Sequence, residues 1–150
     1  MKSLRFLYVL LALPCLCVNA PAQSKPVTLS VHLLVPCGGA ATTKVKTAVG
    51  TRCLDPKPFL TEADVQSAET QKNSKGNPTI FLTFHNESAM RELQITRQNI
   101  GNPVAIVLNG RVVASPVIAA ASRFLYIASD FKPEQCASIV AGLNRQSGGR

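Results

Sequence analysis

The sequence predicts an α+β domain: a mostly antiparallel sheet with two main helices packed on one face. Three observations carry that prediction. The β-rich segments are joined by tight turns, and strands joined that way cannot be parallel neighbours. Two later segments carry apolar residues at helical spacing. Hydrophobic residues make up 46% of the 150, enough for a core and about right for a single domain.

Val27 to Val35 reads as a strand, with Val27, Leu29, Val31 and Leu33 pointing one way and Thr28, Ser30, His32 and Leu34 the other. Gly38 to Thr51 has no strong period and reads as a long loop or irregular hairpin. Asp55-Pro56-Lys57-Pro58 is an extended connector, because a residue before proline is pushed out of the α region. Thr61 is placed to cap a short helix with Asp64 in its first turn. Thr79 to His85 is a strand with Ile80, Leu82 and Phe84 on one face, paired as a hairpin with Ala68 to Lys72 across the Asn73–Asn77 turn.

Asn86 caps the next predicted helix, which stops at Gly101 and turns Ala89, Leu93, Thr96 and Ile100 to the core. Asn86-Glu87-Ser88 also matches a glycosylation acceptor, a three-residue pattern that occurs mostly by chance. Asn109-Gly110 between Val104–Leu108 and Arg111–Ser115 predicts a two-residue type I′ hairpin, since both turn positions need positive φ. Pro116 ends its second arm. Arg123 to Ser129 is a further strand, with Phe124, Tyr126 and Ala128 opposite Leu125 and Ile127. Pro133 opens the last helix, whose core stripe is Cys136, Ile139, Val140 and Leu143. Residues 146–150 read as a flexible tail.

Composition narrows the function. Charged residues are 16%, too few for a disordered chain of this hydrophobicity. Aromatics are 5% and Trp is absent, which argues against a stacking platform for nucleic acid. Residues 1–22 read as a signal peptide: Lys2 and Arg5, an apolar run to Leu13, Pro14, then Ala20-Pro21-Ala22, with cleavage between Ala22 and Gln23. A membrane anchor competes, but the run is about half of the roughly 20 residues a spanning helix needs. A lipoprotein signal at Cys15 or Cys17 is disfavoured by Pro14. Cleavage removes two basic residues and no acidic one, taking the charge from +8 to +6. The remaining Lys and Arg are scattered, as on a solvated surface. No integral membrane segment is expected in the mature chain.

Export permits disulfides. Cys37 and Cys53 sit in a loop-rich stretch, and a bridge there would close a loop of about 15 residues, worth roughly 3 kcal/mol. Cys136, on an apolar helical stripe, is expected free and buried. No Cys-x-x-Cys exists, and His32 and His85 have no ligand partner at helical or strand spacing. No metal, cofactor or catalytic residues are expected.

Phe84 to Ile118 resembles the periplasmic first head subdomain of SecD, a subunit of bacterial protein export. The resemblance rests on Thr96-Arg97-Gln98-Asn99-Ile100-Gly101, the strand Ala105-Ile106-Val107-Leu108, the turn Asn109-Gly110, and Ala114-Ser115-Pro116-Val117-Ile118. Leu60-Thr61-Glu62-Ala63-Asp64-Val65 and Phe131-Lys132-Pro133-Glu134-Gln135-Cys136-Ala137 extend it in order. It implies a head-like domain over 55–145, preceded by an N-terminal strand and loop region over 23–54. Three positions depart from the family. Glu92 stands where an aromatic is commoner and should leave that helix edge more polar. Lys132 replaces a capping Thr. Ala119 to Ser122 replace a Gly-rich connection, so a groove built there should differ.

The resemblance implies a non-enzymatic, exported domain, periplasmic or extracellular, that contacts polypeptide such as a preprotein or an envelope protein. The alternative is a periplasmic binding or structural protein that kept the fold without an export role. A small hydrolase is the enzymatic alternative. It would need a nucleophile with a base, paired carboxylates or a metal, and the eight acidic residues are scattered.

Overall fold

The computed structural model describes residues 26–39 and 43–148. The expected leader, with its Ala22–Gln23 cleavage point, lies outside them. β1 (Leu29–Val35) is the centre of the first sheet. One edge pairs with β7 (Val104–Leu108). The other is shared by β3 (Gly50–Leu54) and the two-residue β4 (Leu60–Thr61). β2 (Lys44–Thr47) and β8 (Arg111–Ala114) complete the order β2-β3-β1-β7-β8. The second sheet is β5 (Val65–Lys72), β6 (Pro78–Phe84) and β9 (Phe124–Ala128), in that order. Every strand pair is antiparallel. The helices are α1 (Asn86–Gln98) and α2 (Pro133–Ser147).

The α+β class is as expected, but the strands divide between two sheets instead of forming one. The chain first crosses between the sheets at a 3-10 turn, Glu62–Asp64, which carries it from β4 into β5; it crosses again through α1, from β6 to β7, and from β8 to β9. Asp64 fixes that turn. Its Oδ2 accepts from the Thr61 N–H (2.8 Å), and its Oδ1 accepts from the Ser88 hydroxyl (2.6 Å) and pairs with Arg91. Burial alone would raise the Asp64 pKa. The bonds from Ser88, Thr61 and Arg91, with the Arg91 charge, outweigh it and hold the carboxyl below its usual value.

Both sheets feed one core. Leu29 and Val31 of β1, Leu60, Ile106, Ile80, Leu82 and Ile127 meet Cys136 and Leu143 of α2 there. Leu34 lies outside it, in a small second cluster with Val45 and Ala105. α2 packs on β5 and β6. It also finishes the outer edge of β5: Asn144 Oδ1 accepts the Ala68 N–H (2.8 Å) and Asn144 Nδ2 donates to the Ala68 carbonyl (2.9 Å). The side-chain amide thus pairs with the strand as another strand would. Gly142 brings α2 against Val27, where a Cβ would overlap Val27 Cγ2. The helix continues through Arg145 to Ser147, beyond the end of its apolar stripe.

The Asn109-Gly110 turn forms as expected, with φ of 50° and 75°. Asn109 also ties the residue before β1, donating its N–H to the Thr28 carbonyl (2.9 Å) and accepting from the Thr28 N–H at Oδ1 (3.1 Å). The hairpin expected within Gly38 to Thr51 is regular and runs past Thr51, as β2–β3 from Lys44 to Leu54. Two expectations for α1 need correction. The cap is His85, in extended backbone, and Asn86 is the first helical residue. Thr96 is buried and Ala89 packs on the core as expected, but Ser88 and Glu92 complete the buried face, whereas Ile100 lies beyond the helix and is 56% exposed. Ser88 and Thr96 tolerate burial because each is hydrogen-bonded.

Candidate binding cleft

An apolar cavity of about 370 Å³ lies where α1, β9 and the segment 116–122 meet. Thr96 builds this junction. Its hydroxyl donates to the Glu92 carbonyl (2.8 Å) and accepts the Ser122 N–H (3.0 Å), pinning the segment to the helix. The segment is also laced to the chain before β7: Gly101 N–H to the Ile118 carbonyl (2.8 Å), Ile118 N–H to Asn102 (3.0 Å) and Val104 N–H to Pro116 (2.9 Å). The walls include Val31, Phe59, Val104, Ile118 and Leu125.

Phe124, Leu125 and Tyr126 all line the cavity. Side chains of a strand alternate between faces, so three consecutive lining residues mean that the cavity meets β9 edge-on. Among the described residues β9 pairs with β6 alone, which leaves that edge without a strand. Phe81, Phe124 and Tyr126 form an aromatic group beside it, with ring centroids 4.8–5.7 Å apart. Phe124 and Tyr126 remain 45% and 50% exposed. A larger depression, about 760 Å³, runs along the flank of α1 and is lined by that helix alone.

Glu92 contradicts its expected role as a polar helix edge. It is 2% exposed and lines the cavity. Its Oε2 has no hydrogen-bond partner. Burial pushes its carboxyl up to about 8.

The other residues singled out by sequence lie elsewhere. Cys37 and Cys53 form the expected disulfide, Cα atoms 4.9 Å apart, at the β1–β3 end of the first sheet. Cys136 is a free, fully buried thiol whose pKa burial raises. The two ring nitrogens of His32 bond to the Asp55 carbonyl (2.8 Å) and the Ser30 hydroxyl (2.9 Å), so its role is structural. No group of three His, Cys, Asp or Glu among the described residues is placed to hold a metal. Sequence reasoning marked Ala119–Ser122 as the place where a groove would differ, and three of those residues line the cleft. It missed the buried, unpaired state of Glu92.

Fold and cleft together define an α+β domain of two antiparallel sheets around one core, with an apolar cleft at an open sheet edge. The chain belongs to the SecDF P1 head subdomain family, whose sequence profile matches residues 41–147. It is 48% identical over 61 residues to the protein translocase subunit SecDF of Thermus thermophilus, covering 41% of this chain and 8% of that protein. It is 36% identical over 61 residues to the SecD subunit of Aquifex aeolicus, covering 41% of this chain and 12% of that one. The chain therefore spans only a small part of the curated relatives it matches. Among solved structures it is similar to SecDF, described as a membrane component that enhances protein export: TM-score 0.64, 29% identity, 79% of this chain and 62% of that one. The super-membrane-facing form of SecDF matches with the same TM-score and 30% identity, over 79% of this chain and 18% of that one. No helix among the described residues is long and apolar enough to cross a membrane.

Proposed function

We propose that this domain is an exported, non-enzymatic polypeptide-binding module of protein export. One observation carries the reading: an apolar cavity meets the open edge of β9. An extended chain laid along such an edge gains main-chain hydrogen bonds from the strand. The cavity takes an apolar side chain of that segment, and Phe124 and Tyr126 offer exposed ring surface beside it. Main-chain recognition suits an unfolded preprotein, whose sequence varies while its backbone does not. The membership of the chain in the SecDF P1 head family supports the export context.

The test is a titration of the isotopically labelled mature protein with an unfolded apolar peptide, followed by amide chemical shifts. Perturbations should centre on 116–126 and on Thr96. Shifts confined to β2, β3 or the Asn109-Gly110 turn would refute the cleft as the binding site. A crosslinking pull-down from the cell envelope that returns no export substrate or component would refute the export role.

A further inference from the structure

Glu92 is chemically out of place in this cleft. Its Oε2 is a buried polar atom without a partner, which costs about 1–3 kcal/mol in a folded protein. Among the described residues no cation lines the cavity with it. Lining the cavity with it are Val31 from β1, Phe59 from the connector before β4, Val104 from β7, Ile118 from the 116–122 segment and Leu125 from β9. The Tyr126 hydroxyl is the only other titratable group among the cavity's lining residues. Arg91, next in sequence, turns to Asp64 and the Phe59 carbonyl (3.1 Å). A carboxyl so placed is held neutral, and a neutral carboxyl has an O–H to donate. An apolar pocket carrying one unsatisfied polar group has the makeup of a ligand site with a single orienting contact.

Resting on the polypeptide reading above, we propose that Glu92 determines the specificity of the cleft: as a neutral acid it donates a hydrogen bond to a backbone carbonyl of an uncharged apolar segment, and it rejects segments that place a carboxylate there. The bond satisfies the orphaned group on binding, so its contribution appears only in the complex. Deprotonation removes the donor and sets a negative charge against the incoming carbonyl. Binding is therefore lost as pH rises through the Glu92 value of about 8.

The experiment uses three end-capped peptides of one apolar sequence whose central residue is Ala, Asp or Lys. Their affinities are measured by calorimetry at pH 6 and pH 9.5, either side of that value, for wild type, Glu92→Gln and Glu92→Leu. Wild type should bind the Ala peptide about tenfold more tightly at the lower pH, the loss of a donor hydrogen bond plus repulsion. It should discriminate against the Asp peptide at both. Glu92→Gln, which keeps a donor and cannot ionise, should bind the Ala peptide equally at both pH values. Glu92→Leu should bind it about fivefold more weakly than wild type at pH 6 and without pH dependence. Binding by wild type that is flat with pH, or a preference for the Lys peptide, would overturn the role given to Glu92 and leave the polypeptide reading standing. Failure of every peptide to bind every folded variant would overturn both.

Discussion

Replacing Glu92 with Gln tests the buried acid through stability, independently of any ligand. In the unfolded chain Glu92 titrates at its ordinary value of 4.5, and in the folded domain at about 8. A raised folded value means that the native state holds the proton over that window while the unfolded state has released it. Stability is therefore fully present below pH 4.5 and falls as pH rises through about 8. At about 1.4 kcal/mol per unit, the gap corresponds to roughly 5 kcal/mol above pH 8, of which about 3 is already lost at pH 7. Gln has nearly the same shape and no charge to bury. The unfolding free energy of Glu92→Gln minus that of wild type should thus climb by about 3 kcal/mol between pH 4.5 and 7, and continue upward to pH 9. Urea unfolding of both proteins across that range measures it, and the difference cancels the titration of groups both chains share. A difference that stays flat with pH would show that the carboxyl reaches water or a cation in solution, and the physical account of the cleft would fail.

Four further outcomes follow from the fold. Asn144→Ala removes two bonds to the edge of β5; it should cost about 2 kcal/mol and speed hydrogen exchange at the Ala68 amide, and unchanged exchange there would refute the pairing. Gly142→Ala improves helix propensity by about 1 kcal/mol, but overlap with Val27 costs about 1–3, so the variant should be less stable unless Val27→Ala accompanies it. Thiol labelling of the oxidised mature protein should find nothing reactive when native and one thiol, Cys136, when denatured without reductant; three reactive thiols would contradict the Cys37–Cys53 bond. Mass analysis of the exported protein should show the loss of residues 1–22, and retention of Met1 would refute the signal reading.

The parts of the fold that were legible are those whose cause is local. Asn109-Gly110 dictates its own turn geometry, the alternation of Ile80, Leu82 and Phe84 sets the face of β6, and Cys136 to Leu143 repeat at helical spacing. The split into two sheets was not legible. The turn at the first crossing is held by bonds from Asp64 to Ser88 and Arg91, 24 and 27 residues away. The face of α1 was legible in part: Thr96 is buried and Ala89 packs on the core as its spacing says, but polar Ser88 and Glu92 are buried beside them and Ile100 is exposed. Nothing in the helix itself says that Thr96 will hold the backbone of Ser122. The cleft is assembled by such distant contacts, and only the departures at Glu92 and Ala119–Ser122 marked its place.

The amide of Asn144 gives the second sheet a valence. A β-sheet grows by edge pairing, and a strand layer open on both sides is a bifunctional monomer that can polymerise. Here α2 packs along β5 and Asn144 occupies Ala68, while on the β9 side no described strand follows and the Ser122 hydroxyl occupies Phe124 alone, donating to its carbonyl (2.6 Å) and accepting its N–H (3.2 Å). The layer is thereby monofunctional. A guest strand that pairs there becomes the new edge, so growth stops only where the guest's own outer edge is blocked. If the guest is another copy, β9 against β9 closes a two-fold pair in place of a filament. The domain thus carries a brake on the growth of this sheet within its own fold.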